Sequence, residues 1–585
     1  MIQTAINHYA CGQLEDAENL FRQILQSQPY HPQALYFLGL IALDKGVNDE
    51  ACQLLYKATL ADKNNKDYQY TLAVALQENG KIDEAISGYE KISDMPEAQN
   101  NLGNIYRMKG ELTKARNAFD KAIELNDKMI WAYVNKAILE RQENNQKQAE
   151  ELLQKALQID SNFVQALYQL SVQNRLNKDF NKSLQHIEKA INLNKNIDFL
   201  WVEYGKVLTS LNRMQEALKA FENAINLNRF CADAYFEKAL ILENQNPDLA
   251  EQAYRDVLRI DTKNISAFNN LGALLYRQNR VMEALEMYRN VFIIKPDDVS
   301  AAFNLAIALE DMNDYEEAAG LYFKILGQKS LSEQIHIRLS NMLPKWFEKD
   351  TETAKKYAQG WIKNFPDNPL AIHTNNALNG ICSDEDKDFS YCQIFYNTFA
   401  PTYDEKMKQL NCQIPNLIAQ KLKNQSFENV LDLGCGTGAC GKFLKSQSSH
   451  LIGVDASENM IKIAKEKQLY NELYTQDIAD YLSQKKENFD LIISADVFCY
   501  INKLNDIIKQ THKALSDNGF FIFTVEKSIE DDKIILQPNG RYQHGLNLIK
   551  QMLKDATFTS VNYEEVILRQ ENGKDCIGYL FEARK

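Results

Sequence analysis

A small residue returns at intervals of 34 along the first part of this 585-residue chain. It stands at Gly39, Ala73, Gly103, Ala137, Ser171, Gly205, Ala239, Gly272, Ala306 and Ser340, with one interval of 30 and one of 33. A second small series follows about twelve positions later, from Ala51 and Ala85 to Ala318. A large residue comes four positions after each: Leu55, Tyr89, Phe119, Leu153, Ile187, Phe221, Tyr254, Tyr288 and Tyr322. A period of this length is two amphipathic helices whose small residues allow close approach. One such pair cannot bury its own apolar face, so pairs must stack into an all-α solenoid. The register runs for about eleven units over residues 1–366. Ala17 and Phe21 belong to a truncated first unit, Ala354 and Ala358 to an irregular last one.

The spacing and the recurring Leu-Gly, Ala, Phe and Ala positions resemble the tetratricopeptide repeat. That resemblance implies a superhelix whose concave face, made by the first helix of each unit, binds a protein or peptide. Asn101, Asn135, Asn270 and Asn304 each stand two positions before the small residue, near that face. A side-chain amide both donates and accepts, so such a ladder grips an extended backbone without reading its sequence. Gln169, Glu203, Glu237 and Arg338 interrupt the ladder. The alternative is that asparagines are simply frequent here and face solvent.

The net charge of −13 makes nucleic acid or an anionic membrane an unfavourable partner. No apolar run reaches the roughly 18 residues of a membrane span. The ten cysteines include no CxxC pair, so no metal site is expected. Met1 to Ala5 lack the pattern of a signal peptide. A reduced, cytoplasmic protein fits these features. Residues 367–390 are richer in Asn, Asp and Ser, carry the acidic run Asp384-Glu385-Asp386, and read as a linker.

Residues 391–585 alternate strand and helix. Strands are expected near 429–433, 450–455, 470–474, 489–494 and 519–525, followed by a helix near 546–555. Two more strands, about 557–568 and 576–583, are joined at Glu571-Asn572-Gly573-Lys574. That ending is a hairpin, so one strand runs antiparallel in an otherwise parallel, seven-stranded sheet. Ligands of such sheets bind beyond the carboxyl ends of the strands, where strand order reverses. The residues that follow each strand carry the chemistry. After the first comes Gly434-Cys435-Gly436-Thr437-Gly438, bare backbone suited to a nucleotide-like ligand. Alone, that loop fits a dinucleotide oxidoreductase as well. Asp455 ends the second strand, before Ala456, where a carboxylate accepts both ribose hydroxyls. Asp477 and Ile478 follow the third and suit an adenine amino group, unless Asp477 is only a helix cap. Asp432 either orients the glycine loop or meets a ligand ammonium, and Asp496 lies in the loop after strand four.

Two separate acids suit a single adenosine, and this set resembles the class I S-adenosylmethionine-dependent methyltransferases over about residues 390–585. Thr437 to Gly441, Ala495 to Phe498, Val525-Glu526 and Gly540-Arg541-Tyr542-Gln543-His544 look like a bacterial group of predicted methyltransferases carrying tetratricopeptide repeats. Phe395 to Asp404 resembles the FDxxAxxYD lead-in of that group and of quinone-ring methyltransferases, with Tyr396-Asn397 in place of Phe-Asp. The resemblance implies a Rossmann-like domain with S-adenosylmethionine as cofactor. Gly434, Gly436 and Gly438 would hold its methionine part, Asp455 and Ala456 the ribose, Asp477 and Ile478 the adenine, and Tyr403 would close the pocket. His544 and Asp496 are the candidate catalytic residues, and Glu526, Arg541 and Tyr542 the candidates for holding a polar acceptor. Their alternatives are a structural histidine, a loop hydrogen bond and a salt-bridged lid. Three functions stay open: a methyltransferase whose repeats recruit a protein, a methyltransferase for a quinone, sugar or lipid-like acceptor, and a binding scaffold with an inactive domain.

Overall fold

The computed structural model describes residues 1–585 apart from Lys329, 383–387, 485–488 and Asn572. The described residues form two compact units, Met1–Leu274 and Leu275–Lys585.

The first unit is a succession of helix pairs. Helices Pro96–Met108 and Leu112–Leu125 illustrate why they form. Pro96 opens the first helix, where its missing N–H costs nothing. A Cβ added to Gly103 would stand 2.4 Å from the Phe119 ring, and one on Gly205 equally close to Phe221. The small series exists because the second helix drives a buried ring against the first. The turn inside most pairs uses a left-handed residue, as at Gly46, Gly80, Gly110, Asn144, Lys178 and Asn212. Glycine and asparagine tolerate that conformation best, which accounts for part of the chain's asparagine content.

In the second unit the helix pairs continue through Val281–Ile294, Val299–Asp311, Tyr315–Ile325, Ser332–Phe347 and Thr351–Asn364. The stretch expected as a linker contains a further helix, Pro369–Asn379, capped by Asn368. Its His373 stacks on Tyr391 at 3.8 Å and donates to the Gly540 carbonyl at 2.8 Å. Its Ala377 packs with Leu536 and Tyr542. This connecting segment is therefore partly helical and anchored to the sheet. The acidic run 384–386 lies outside the described residues.

Among the described residues nine strands form one sheet: β1 Phe427–Leu433, β2 Ser448–Asp455, β3 Glu472–Thr475, β4 Phe489–Ser494, β5 Leu515–Lys527, β6 Ile534–Leu536, β7 Tyr542–His544, β8 Ser560–Glu571 and β9 Lys574–Arg584. The order β3-β2-β1-β4-β5 is parallel throughout. β9 runs antiparallel between β5 and β8, in register Phe520↔Arg584 and Tyr563↔Phe581. These seven strands match the expected sheet, and the terminal hairpin is present, although its turn residue Asn572 lies outside the described residues. The two unexpected strands, β6 and β7, pair with each other, and β7 also pairs with the end of β5. Each has three residues, too few to carry an alternating pattern. Apolar clusters cover both faces of the sheet, as a parallel sheet requires. Among the described residues no helix is long and apolar enough to cross a membrane.

Candidate functional site

Strand order reverses between β1 and β4, and the glycine loop leaves β1 at that point. Gly434 and Cys435 donate their amides to the Val454 carbonyl at 2.8 and 3.0 Å, tying the loop to β2. Gly434, Gly436 and Gly438 have φ of 72°, 54° and 91°, a left-handed turn that side chains resist. A Cβ on Gly434 would fall 2.3 Å from Val497, so the loop after β4 presses directly on this backbone.

Two cavities of about 280 and 490 Å³ flank the loop and share Tyr403, Gly434, Gly436, Ala495 and Asp496 as a common wall. The smaller is lined by Asp455, Ala456, Asp477 and Ile478, the larger by Asp432 and the backbone around Cys440. The structure thus brings together every residue expected to hold a cofactor except Gly438, which packs under Tyr470 at the rear of the loop. Asp455 accepts from the Gly436 and Ser457 amides at 2.9 and 2.8 Å, which fixes its carboxylate at the cavity edge. Burial raises its pKa, and those amide bonds oppose the rise. Asp477 accepts from the Ala479 and Asp480 amides, so it does cap helix Ile478–Gln484 while lining the cavity. Asp432 is buried, receives the Tyr470 hydroxyl at 2.7 Å, and is pushed up to about 7 by desolvation.

The lead-in segment clamps this loop. Asp404 accepts from the Thr437 hydroxyl and from Lys467 Nζ at 2.6 Å. Asn397, the departure from the lead-in pattern, accepts the Ser457 hydroxyl at 2.7 Å beside the start of helix Glu458–Glu466. An amide oxygen accepts that bond as a carboxylate would, so the substitution preserves the joint. Tyr396 meets Tyr500 edge-on at 5.3 Å, and Tyr403 at 6.2 Å, giving the smaller cavity an aromatic wall. Burial drives all three phenols far above their usual range, so they stay neutral.

The acceptor-side expectations are corrected in part. Tyr542 is buried and packs against Ala377, and His544 is fully buried on β7 and lines neither cavity. His544 donates through Nε2 to the Ile501 carbonyl, and desolvation pushes it down to about 4. Its near-neutral basicity, the basis for expecting a catalytic role, is lost on burial. Because its folded pKa lies below the ordinary 6.5, it lends stability above pH 6.5 that is withdrawn as pH falls towards 4. His544→Gln should therefore flatten the acid side of the stability profile, removing a slope of about 1.4 kcal/mol per pH unit. Denaturant midpoints across that range measure it, and an unchanged slope would contradict the buried neutral ring.

Glu526 and Arg541 belong to an ion cluster centred on Arg569, a residue the sequence reading passed over. Arg569 is wholly buried on β8 and reaches Asp496 Oδ1 at 2.5 Å, Glu571 Oε1 at 2.6 Å and Glu526. Arg541 joins Glu526 at 3.2 Å and Glu571. Asp496 has φ of 61°, and the Thr524 hydroxyl accepts its backbone amide. Arg569 thus holds the carboxylate of a left-handed residue at the wall between the two cavities. Its place directly after the apolar run Val566-Ile567-Leu568, in an expected strand, was the available signal.

The asparagine ladder is largely internal. Asn101 donates to the Tyr70 and Tyr89 hydroxyls at 3.1 Å, Asn270 to Tyr254 at 3.3 Å, and Asn135 to Asn100 at 2.9 Å. Asn101 and Asn135 also line an open cleft of about 370 Å³, whereas Asn304 lies half-buried on helix Val299–Asp311.

Comparison with known proteins agrees with this geometry. A methyltransferase domain model matches residues 403–553, and tetratricopeptide repeat models match 94–162, 205–265 and 269–331. This chain carries tetratricopeptide repeats and a methyltransferase domain. A model of anaphase-promoting complex subunit 3 matches residues 10–92, within the repeats. An uncharacterized protein of Methanocaldococcus jannaschii is 33% identical over 173 residues, 28% of this chain and 64% of that one. A malonyl-[acyl-carrier protein] O-methyltransferase of Bacillus anthracis is 29% identical over 136 residues, 22% of this chain and 50% of the enzyme. The chain thus spans about half to two thirds of the length of these relatives. The solved structure of YrrB, a repeat protein with an unusual peptide-binding site, is 29% identical, with 32% of this chain and 95% of that one covered, at a TM-score of 0.26.

Proposed function

We propose that this chain is an S-adenosylmethionine-dependent methyltransferase whose repeats deliver a protein acceptor or partner. The observation that carries the cofactor reading is the charge of the cavity lining. The two linings hold Asp404, Asp432, Asp455, Asp477, Asp496 and Asp506 against Lys408, Lys442 and Lys503, with no arginine among the described lining residues, and even with Lys467 and Arg569 paired to Asp404 and Asp496 the acids remain in excess. A dinucleotide pyrophosphate meets repulsion in such a lining, while a sulfonium and an ammonium are favoured. The aromatic wall of Tyr396, Tyr403 and Tyr500 adds attraction for a cation. At Gly436, which lines both cavities, the nearest atom to an added Cβ is Tyr403 Cε1 at 3.9 Å, so bare backbone there leaves room for a ligand.

In this reading Asp455 holds ribose hydroxyls, Asp477 and Ile478 hold adenine, and the larger cavity beside Asp432 takes the amino-acid end. When bound, the cofactor supplies an electrophilic methyl group with a good leaving group. The chain's own residues then have to align the acceptor and exclude water. Asp496, fixed by Arg569, stands at the shared wall and is the candidate for orienting or deprotonating the acceptor. Ten cysteines in the sequence with no CxxC pair fit a reduced, cytoplasmic setting.

Titration calorimetry of the full chain with S-adenosylhomocysteine tests the cofactor. Asp455→Ala should weaken that binding by about 1–3 kcal/mol, the cost of stranding polar partners. Absence of heat with the unaltered chain would sink the reading, and equal affinity would remove the ribose assignment. The repeat role is separable. Deleting residues 1–264 leaves helix Ile265–Arg277 whole and should preserve S-adenosylhomocysteine binding while abolishing tritium transfer to a protein acceptor in lysate. Equal labelling of the same acceptor would refute recruitment.

A further inference from the structure

Helix Asp388–Phe399 carries two stripes with different tasks. Phe389, Cys392 and Tyr396, spaced three and four apart, line the smaller cavity, so one stripe is cavity wall. On the other, Tyr391 and Phe395 stack at 5.7 Å, and Tyr391 stacks in turn on His373 at 3.8 Å with ring planes 20° apart. His373 belongs to helix Pro369–Asn379, which packs on helices Ser332–Phe347 and Thr351–Asn364 at the end of the array. No described residue of helix Pro369–Asn379 lines either cavity.

Two routes lead from this imidazole to the cavity. The first is aromatic: beyond Tyr391 and Phe395, Phe395 meets Tyr396 edge-on at 5.4 Å, and Tyr396 meets Tyr500 at 5.3 Å. The second is polar. His373 Nε2 donates to the Gly540 carbonyl at 2.8 Å, in the turn that joins β6 to β7. Arg541, the next residue, pairs with Glu526 at 3.2 Å, Glu526 meets Arg569, and Arg569 holds Asp496 at 2.5 Å. Both routes end on residues that line the smaller cavity.

The joint is closely fitted. His373 and Tyr391 are buried, and a Cβ added to Gly540 would stand 3.2 Å from both His373 Nε2 and the Tyr391 hydroxyl. A buried carbonyl needs a donor, which an apolar side chain at 373 would not supply. The other end of helix Asp388–Phe399 is pinned, because Asn397 accepts from the Ser457 hydroxyl at 2.7 Å and from the Asn459 amide at 2.8 Å. With that end fixed, the seat of Tyr391 sets the tilt of the Phe389-Cys392-Tyr396 stripe.

We propose that His373 is a positioning residue for the cofactor pocket. By holding Tyr391 and the Gly540 turn together, it places the Tyr396–Tyr500 wall and, through Arg541 and Arg569, the Asp496 carboxylate. This role rests on the cofactor reading above and makes the end of the repeat array part of the pocket's support. Such coupling is reciprocal: an occupied cavity steadies the helix on which His373 stands, and a loosened His373 weakens binding.

Hydrogen exchange of the full-length chain, with and without saturating S-adenosylhomocysteine, tests the coupling before any substitution is made. Amides of Pro369–Asn379 should slow by about fivefold or more on binding, while those of Val299–Asp311, earlier in the same unit, should not change. By calorimetry His373→Ala should bind S-adenosylhomocysteine about fivefold more weakly or worse. His373→Gln, whose amide can still donate to the Gly540 carbonyl, should recover part of that loss. Circular dichroism and urea midpoints show whether each variant is folded, and if His373→Ala is not, the exchange of the unaltered chain decides. Unchanged exchange in Pro369–Asn379, or full affinity in a folded His373→Ala, overturns the positioning role and leaves the cofactor reading standing. Equal losses in the alanine and glutamine variants overturn the route through Gly540 and with it the role as stated. Absence of ligand heat with the unaltered chain overturns the role together with the cofactor reading.

Discussion

Arg569→Met is expected to remove about 3–5 kcal/mol of stability from the sheet unit, the usual cost of taking one partner from a buried ion cluster. The methionine fills much of the same volume, so packing is nearly preserved and the loss is electrostatic. Asp496, Glu526 and Glu571 would then share Arg541 as the cation described in contact with the cluster. Burial already raises the pKa of Glu526, against the pull of Arg569 and Arg541. Without Arg569 that rise must grow. A folded-state carboxyl pKa above the unfolded value means protons bind the folded form more tightly, so stability falls as pH rises through that range. The deficit of the variant should therefore be smaller near about pH 5 than near about pH 8. Hydrogen exchange of amides in β5 and β8 reads the loss locally, even where the chain opens in stages. A deficit under about 1 kcal/mol, the size of a surface pair, would show that the cluster is hydrated in solution. Arg569→Lys should rescue little, because one ammonium cannot bridge three carboxylates placed around a planar fork. S-adenosylhomocysteine affinity should drop alongside, since Asp496 loses the contact that orients it.

That cluster also marks where sequence reading stops. The repeats were legible because each unit restates the same steric demand, a small residue opposite a ring, as at Gly103 and Phe119. The cofactor loop was legible because its parts are close in sequence and obey the end-of-strand rule. Asp455 stands where its strand must end, and its backbone partners lie within about twenty residues. The ion cluster draws on residues from Asp496 to Glu571 on four separate segments: Asp496, Glu526 and Arg541 stood out as site candidates, with a salt-bridged lid as the alternative, but nothing near them in sequence pointed to Arg569 and Glu571 as their partners. His544 failed for a related reason. Its strand, β7, has three residues, so nothing in the sequence announced that the imidazole would be enclosed. The connector was legible as a break in the repeat register, but the packing of its helix Pro369–Asn379 was not, because Gly540, Leu536 and Tyr542, which it meets, lie far along the chain. Asn397 shows the opposite case. It breaks the expected pattern, yet one acceptor oxygen in the right place suffices.

Gly434→Ala should be the most damaging single change in the glycine loop, by about 2–5 kcal/mol in stability and with loss of measurable analogue binding. Two independent costs combine. At φ of 72° a Cβ crowds its own carbonyl, worth about 1–2 kcal/mol. The same Cβ would stand 2.3 and 2.9 Å from the two Val497 methyl carbons, an overlap that typically costs about 1–3 kcal/mol to relieve. Val497 cannot withdraw freely, because the residue before it is the Asp496 that Arg569 holds. The two costs are separable by a second substitution. Gly434→Ala with Val497→Ala removes both methyl carbons and should recover the packing share, leaving the backbone share in place. Gly436 provides the contrast: φ is 54°, but the nearest atom to an added Cβ is Tyr403 Cε1 at 3.9 Å, an ordinary contact. Gly436→Ala should therefore lose only about 1–2 kcal/mol of stability. Urea midpoints for the three variants, with calorimetry on each, give the ranking. If Gly434→Ala and Gly436→Ala lose equal stability, or if Val497→Ala rescues nothing, the β4 loop does not press on the glycine backbone. The shared wall between the two cavities would then not be formed by that contact.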